Sequence, residues 1–153
     1  MSFIVEKDNG LIPQILSAIL DECVNGVTLS DPDLEDTPII YANQAFEKLT
    51  GYTQEEIIGR NCRFLQGNDR EQEARYQIRS ALENHQNIEV TLRNYRKNGE
   101  LFHNHLKITQ LLDRKGRLIY YLGVQYDISY KVNAENEIES LNTVLNKLSI
   151  NDS

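Results

Sequence analysis

Three stretches leave this chain few ways to fold: "NIEVTLRNYRK" (87–97), "ELFHNHLKITQLL" (100–112) and "RLIYYLGVQYDI" (117–128). In each, polar and apolar residues alternate, and a strand sends every second side chain to the same face. The linkers "KNGE" and "DRKGR" are glycine turns, suited to hairpins and too short for a crossover. The three strands must therefore lie side by side and antiparallel. Their shared apolar face needs a cover.

That face carries a flaw. Asn94 shares it with Ile88, Val90 and Leu92; Asn104 with Phe102, Leu106 and Ile108; Gln125 with Ile119, Tyr121 and Gly123. A buried amide without partners costs about 1–3 kcal/mol, and three would drain much of the roughly 5–15 kcal/mol that holds a small domain together. Either the amides bond one another or backbone at the rim of the sheet, or a flat heterocycle whose edge alternates donors and acceptors completes them. Gly123 would let a planar ring come close. Arg63 and Arg79 could clamp a phosphate on such a ring, or be solvated helix charges paired to Glu73 or Glu83. A planar, polar-edged ring with a phosphate tail fits the set.

The earlier half supplies the cover. Apolar residues at helical spacing predict an amphipathic helix over Leu11–Val24. "GVTLSD" (26–31) and "PIIYAN" (38–43) read as a hairpin. Asn43 is placed to cap a helix through Leu49, which Gly51 ends. "TQEEIIG" reads as a capped short helix, "GRNCRFLQGNDRE" (59–71) opens another, and Asp69 is expected to cap a longer one running to about Asn84. The expected order is β-β-α-α-α-α-β-β-β. From Ser129 the chain turns polar and helical, with Ala134, Ile138, Leu141, Leu145 and Leu148 at heptad spacing. Such a helix either docks on the domain or pairs with a second copy.

The 153 residues suit one domain plus appended helix, without need of disulfides or structural metal. A net charge of −7 and a pI near 5.0 argue against nucleic acid and anionic lipid as partners. No run approaches the roughly 18 apolar residues of a membrane span, and "MSFIVEKDNG" lacks the features of a signal peptide, so a cytoplasmic protein is expected. Cys23 and Cys62 show no CxxC and no Cys/His cluster, so no disulfide scaffold and no metal site is expected. His103 and His105 share one strand face, turned away from the amides, where they could bind a metal or pack under the terminal helices.

"GRNCRFLQG" closely resembles the signature of LOV domains, the flavin-binding blue-light sensors of the PAS superfamily. The likeness runs from about Gly26 to Ile128 and includes "PIIYAN", "LTGYTQEEIIGRNCRFLQG", "IRSAL", "LRNYRKNGELF" and "YLGVQYD". It implies an α+β PAS/LOV fold, a five-stranded antiparallel sheet with short helices enclosing a flavin. The organisation implied is an N-terminal flanking helix in 1–25, a core in 26–128 and a C-terminal helix in 129–153. By resemblance, Cys62 forms the photoadduct at flavin C4a, and Gln125 relays the signal. Asn61, Arg63, Gln66 and Arg79 hold the ribityl and phosphate chain, and Asn94 and Asn104 the pyrimidine edge. Thr28, Leu106 and Gly123 complete the cofactor wall. FMN is preferred, with FAD or riboflavin as alternatives, because the spacing from Cys62 to Arg79 lacks the loop insertion of FAD-using relatives. Glu56 and Lys97 match a surface ion pair.

The resemblance implies a sensor that is not an enzyme, signalling through its terminal helices as a homodimer to an unidentified effector. The alternative is a non-photoactive PAS dimerisation module. A cysteine hydrolase built from Cys62 and a histidine is disfavoured, since both histidines are expected to face away from the pocket. The sequence departs from the family at His103, usually tryptophan, at His105, at Tyr121, usually phenylalanine, and at Thr28, usually valine.

Overall fold

The computed structural model describes residues 3–4, 18 and 20–151, of which 3–4, 130–135, 145 and 148–151 are described by their backbone alone. The elements are β1 (Phe3–Ile4), β2 (Gly26–Ser30), β3 (Ile39–Ala42), α1 (Gln44–Thr50), α2 (Gln54–Ile57), a 3-10 helix (Cys62–Gln66), α3 (Glu73–Glu83), β4 (Ile88–Tyr95), β5 (Leu101–Leu112), β6 (Leu118–Asp127) and α4 (Ser129–Asn151). The antiparallel order is β4-β5-β6-β2-β3. This is the PAS-type arrangement of a five-stranded sheet whose first hairpin and last meander are separated in sequence by the helices. To it β1 adds two residues in parallel with Leu111 and Leu112, beyond the point where β4 stops. Nothing in the alternation pattern signals that added strand.

Local chemistry explains the boundaries. Asn43 is fully buried and wholly satisfied: Oδ1 accepts from Val27 N and Phe46 N at 2.8 and 3.1 Å, and Nδ2 donates to Leu20 O and Asn25 O at 2.8 and 3.0 Å. It caps α1 and ties that helix to β2. Gly51 ends α1 at φ 80°, in the left-handed region that favours glycine. Thr53 and Glu56 form a reciprocal capping box on α2.

Two expectations are corrected. Asp69 does not cap the long helix; the N-cap is Gln72, which makes no side-chain capping bond, because both side chains are engaged by β4 instead. The first helix does not reach Val24: residues 21–25 form turn and bend, and Val24 is 93 % exposed. Most of Leu11–Val24 lies outside the described residues.

Among the described residues the core falls into three clusters, one of which joins Leu29, Leu111 and Ile119 across β2, β5 and β6. Ile39, Ala42, Phe46, Ile57 and Leu65 join the hairpin to the short helices. Ala74, Val90, Leu92, Leu106 and Ile108 join α3 to β4 and β5, with Ile78, Leu82 and Tyr121 packed against them. Each such side chain stabilises the fold by about 1.5–3 kcal/mol. Between these last two clusters the interior is open.

Candidate functional site

The opening is a cavity of about 510 Å³. Its wall includes Thr28 from β2, Leu106 from β5, Gly123 and Gln125 from β6, Asn61, Cys62, Arg63 and Gln66 from the 3-10 helix and its cap, and Arg79 from α3. Asn94 and Asn104 do not line it directly. They lie behind the wall, at 2 % and 1 % exposure. The structure thus brings all eleven residues singled out from the sequence to one region.

The three amides pair in part. Asn104 Nδ2 donates to Asn94 Oδ1 at 3.0 Å and to Gln125 Oε1 at 2.9 Å, Gln125 Nε2 donates to Thr28 Oγ1 at a long 3.4 Å, and Asn94 Nδ2 donates to the carbonyl of Arg93 at 3.0 Å. The chain does not close: Asn104 Oδ1 and Gln66 Oε1 are buried without a partner. Fully buried Asn43, by contrast, meets every demand. These two unmet atoms belong to amides of the cavity region, and a ring with matching edge groups would complete them. A methyl at Gly123 would stand 2.6 Å from Thr28 Oγ1, so the glycine holds open a shallow cradle in the wall.

Asn61 positions the thiol. Its Oδ1 accepts from Arg63 N at 3.0 Å, capping the 3-10 helix, and its Nδ2 donates to Asp36 O at 2.8 Å. Cys62 lines the cavity, and its residue as a whole is exposed. Burial pushes its thiol pKa up, the Arg63 charge pulling back, so the sulfur keeps its proton at neutral pH. Arg63 also pairs with Asp36 across the loop between β2 and β3.

Two basic residues in the cavity wall were not read from the sequence, Arg70 and Arg75. Arg75 could have been found, since it precedes Arg79 by four residues and shares its helix face. Arg70 reaches the cavity only through the path of the loop that carries it. Four arginines therefore line the cavity; Arg63 is already paired with Asp36 and Glu83 is also part of the lining, and the surplus of positive charge favours an anion among them.

On the opposite face of the sheet, His105 Nε2 meets Glu89 Oε1 at 2.7 Å and Nδ1 meets Thr91 Oγ1 at 3.1 Å. Nδ1 of His103 is buried without a partner. Among the described residues no group of three or more His, Cys, Asp or Glu could hold a metal ion, and no helix is long and apolar enough to cross a membrane. Lys97 and Glu56 form the expected ion pair at 2.7 Å.

The profile of the PAS domain matches residues 24–129. A solved structure described as a flavin analogue in a light-oxygen-voltage domain is 42% identical, superposes with a TM-score of 0.70, and is covered over 96% of its length by 80% of this chain. The chain belongs to the LOV domains, the blue-light-sensing branch of the PAS superfamily. Among curated LOV relatives, the blue-light photoreceptor of Listeria innocua serovar 6a is 43% identical over 81% of this chain and 49% of its own. A blue-light-activated histidine kinase of Brucella anthropi is 42% identical over 72% of this chain and 23% of its own. This LOV domain thus spans about half or less of these relatives. Membership implies a flavin in the cavity, and the unmet amide atoms, the glycine cradle and the guanidiniums fit one.

Proposed function

We propose that this LOV domain binds FMN and senses blue light through a reversible bond to Cys62. The observation that carries the reading is the thiol opening onto a cavity lined by four arginines and by Gln125, behind which the other two amides are bonded in sequence. FMN, when bound, supplies the blue absorption and an electrophilic ring carbon, C4a, to which a thiol adds reversibly. Arg63, Arg70, Arg75 and Arg79 favour the phosphorylated flavin over riboflavin. Asn94, Asn104 and Gln125 hold the polar edge of the ring, and Leu106 and Gly123 its faces.

Cys62 carries its proton in the dark because burial disfavours the thiolate. With the flavin bound, Cys62 would supply both the sulfur that adds to the ring on illumination and the proton that goes with it, and would recover both in the dark. Gln125 must then offer an oxygen where it faced an acceptor. Turning its amide breaks the 2.9 Å bond from Asn104 and the 3.4 Å bond to Thr28.

The route outward is short. Two residues beyond Gln125, Asp127 pairs with Arg96 at 2.5 Å and accepts from Ser129 N at 2.7 Å. Ser129 Oγ in turn accepts from His103 N at 2.7 Å. These bonds seat the first turn of α4 on the sheet, so a shift in β6 changes the docking energy of that helix. The described members of the α4 stripe, Ile138 and Leu141, are 57 % and 56 % exposed in the single chain. This supports pairing with a second copy rather than docking on the domain. The reading is of a sensor in the cytoplasm, not an enzyme, whose effector the chemistry does not name.

A spectrum of the purified protein before and after blue light tests this. Bleaching of a flavin band in the wild type, and stable yellow colour without bleaching in Cys62→Ala, is expected. A colourless protein would favour the non-photoactive PAS module, and reversible bleaching in Cys62→Ala would remove Cys62 from its role.

A further inference from the structure

Residues 67–72 form a strap between the 3-10 helix that carries Cys62 and the helix α3 that carries Arg75 and Arg79. The strap bears Arg70. It is fastened to the edge strand β4 at two levels, by residues that do not themselves line the cavity.

The inner staple is Gln72, only 4 % exposed. Its Oε1 accepts from Arg93 N at 2.8 Å, while Nε2 donates to Arg93 O at 2.9 Å and to Asp69 O at 2.7 Å. Its amide therefore acts as a strand neighbour on the side of β4 away from β5. The outer staple is Asp69. Its carboxylate accepts from Arg93 Nε at 2.7 Å, Arg93 Nη2 at 2.8 Å and the Tyr95 hydroxyl at 2.7 Å. A bidentate arginine pair has a fixed geometry as well as energy.

Inside the strap, the basic side chains are tied to its backbone. Arg70 Nε donates to Gly67 O at 3.1 Å, and Arg75 Nη1 donates to Arg70 O at 3.2 Å. Where the strap lies therefore decides where these two guanidiniums lie.

We propose that Asp69 and Gln72, by stapling the strap to Arg93 and Tyr95, are positioning residues that set the preference of the cavity for a phosphorylated over an unphosphorylated flavin. The inference rests on the flavin reading above. A guanidinium recognises phosphate through a planar fork whose value depends on placement. Loosening the strap withdraws that fork from the phosphate. The contacts to the ring come from β2, β5 and β6 and from Asn94 on β4, which its own ladder to β5 keeps in register, so they stay as they are.

The test is titration of the full chain, freed of flavin, with FMN and with riboflavin in the dark, read by flavin fluorescence. Asp69→Asn is expected to weaken FMN about tenfold, equivalent to about 1.4 kcal/mol, while riboflavin affinity stays within about twofold. Tyr95→Phe, which removes one bond to the same carboxylate, is expected to shift the FMN-to-riboflavin ratio in the same direction by less. Thermal melting of the flavin-free variants monitors folding, and Tyr95→Phe carries the comparison if Asp69→Asn melts below the assay temperature. A purely structural role would weaken both ligands alike and leave the ratio unmoved. That result, or unchanged FMN affinity in the folded variants, overturns the inference and leaves the flavin reading standing. A wild-type chain that binds neither ligand overturns both.

Discussion

Replacing Gly123 by alanine tests the cradle that the sheet leaves for a planar ring. The added Cβ would stand 2.6 Å from Thr28 Oγ1, 3.4 Å from Gln125 Nε2 and 3.5 Å from Leu106 Cδ1. Only the first is a collision. Thr28 lies directly opposite Gly123 in the β2–β6 register and is 5 % exposed, so its hydroxyl has little room to swing aside. Overpacking of this kind costs about 1–3 kcal/mol, partly offset by the roughly 0.5–1 kcal/mol that a strand alanine gains over glycine. A net loss of about 1–2 kcal/mol is expected for Gly123→Ala. In a Thr28→Ala background the collision vanishes, and the same change should be neutral or stabilising by up to about 1 kcal/mol. Urea unfolding of the flavin-free protein in the four combinations measures the coupling, expected at about 1–3 kcal/mol. Equal costs of Gly123→Ala in both backgrounds would refute the claim that Thr28 and Gly123 together shape the wall.

Asp69 should leave a mark on acid unfolding. The Arg93 guanidinium first, and the Tyr95 hydroxyl second, hold its carboxyl down to about 2 from an ordinary 3.8. A depressed pKa means that the folded form binds fewer protons, so this contribution is complete above 3.8 and disappears as pH falls through about 2. Urea midpoints of wild type and Asp69→Asn should converge across that window; a gap that stays constant would count against the pairing. At the other end of the fold, Thr53→Ala should cost about 1 kcal/mol through loss of the α2 capping box, whereas Lys97→Ala should stay within about 0.5 kcal/mol because its bridge to Glu56 is exposed. Thermal unfolding separates the two, and the reverse ranking would contradict the view that the cap outweighs the bridge. Gln125→Leu should keep the light-induced spectral change and blunt the change in hydrogen exchange at the start of α4. An undiminished response there would send the signal by another route.

Most of the sheet was legible because strand alternation and glycine turns are local: Leu92 and Asn94 face inward for the same reason of period as Phe102 and Asn104. The caps of α1 and α2 were legible too, since Asn43 and Thr53 each act on backbone a few residues away. Asp69 looked like a third cap and was not. A carboxylate four residues before a helix can serve its N-terminus or a distant guanidinium, and only the closeness of Arg93, 24 residues on, settles the competition. Arg70 belongs to the cavity wall for a comparable reason, and β1 pairs with β5 across more than a hundred residues without any pattern of its own.

What the order of residues determined by itself is the periodic part: which side chains share a face, where turns fall, and that three amides point at an apolar surface. The tertiary structure alone decided how far those amides satisfy one another, leaving Asn104 Oδ1 unmet while Asn43 is complete. Periodicity depends on covalent neighbours and is written along the chain. Hydrogen-bond completion and the emptiness of a cavity depend on distances between strands and helices far apart in sequence, which exist only once the chain has closed around them.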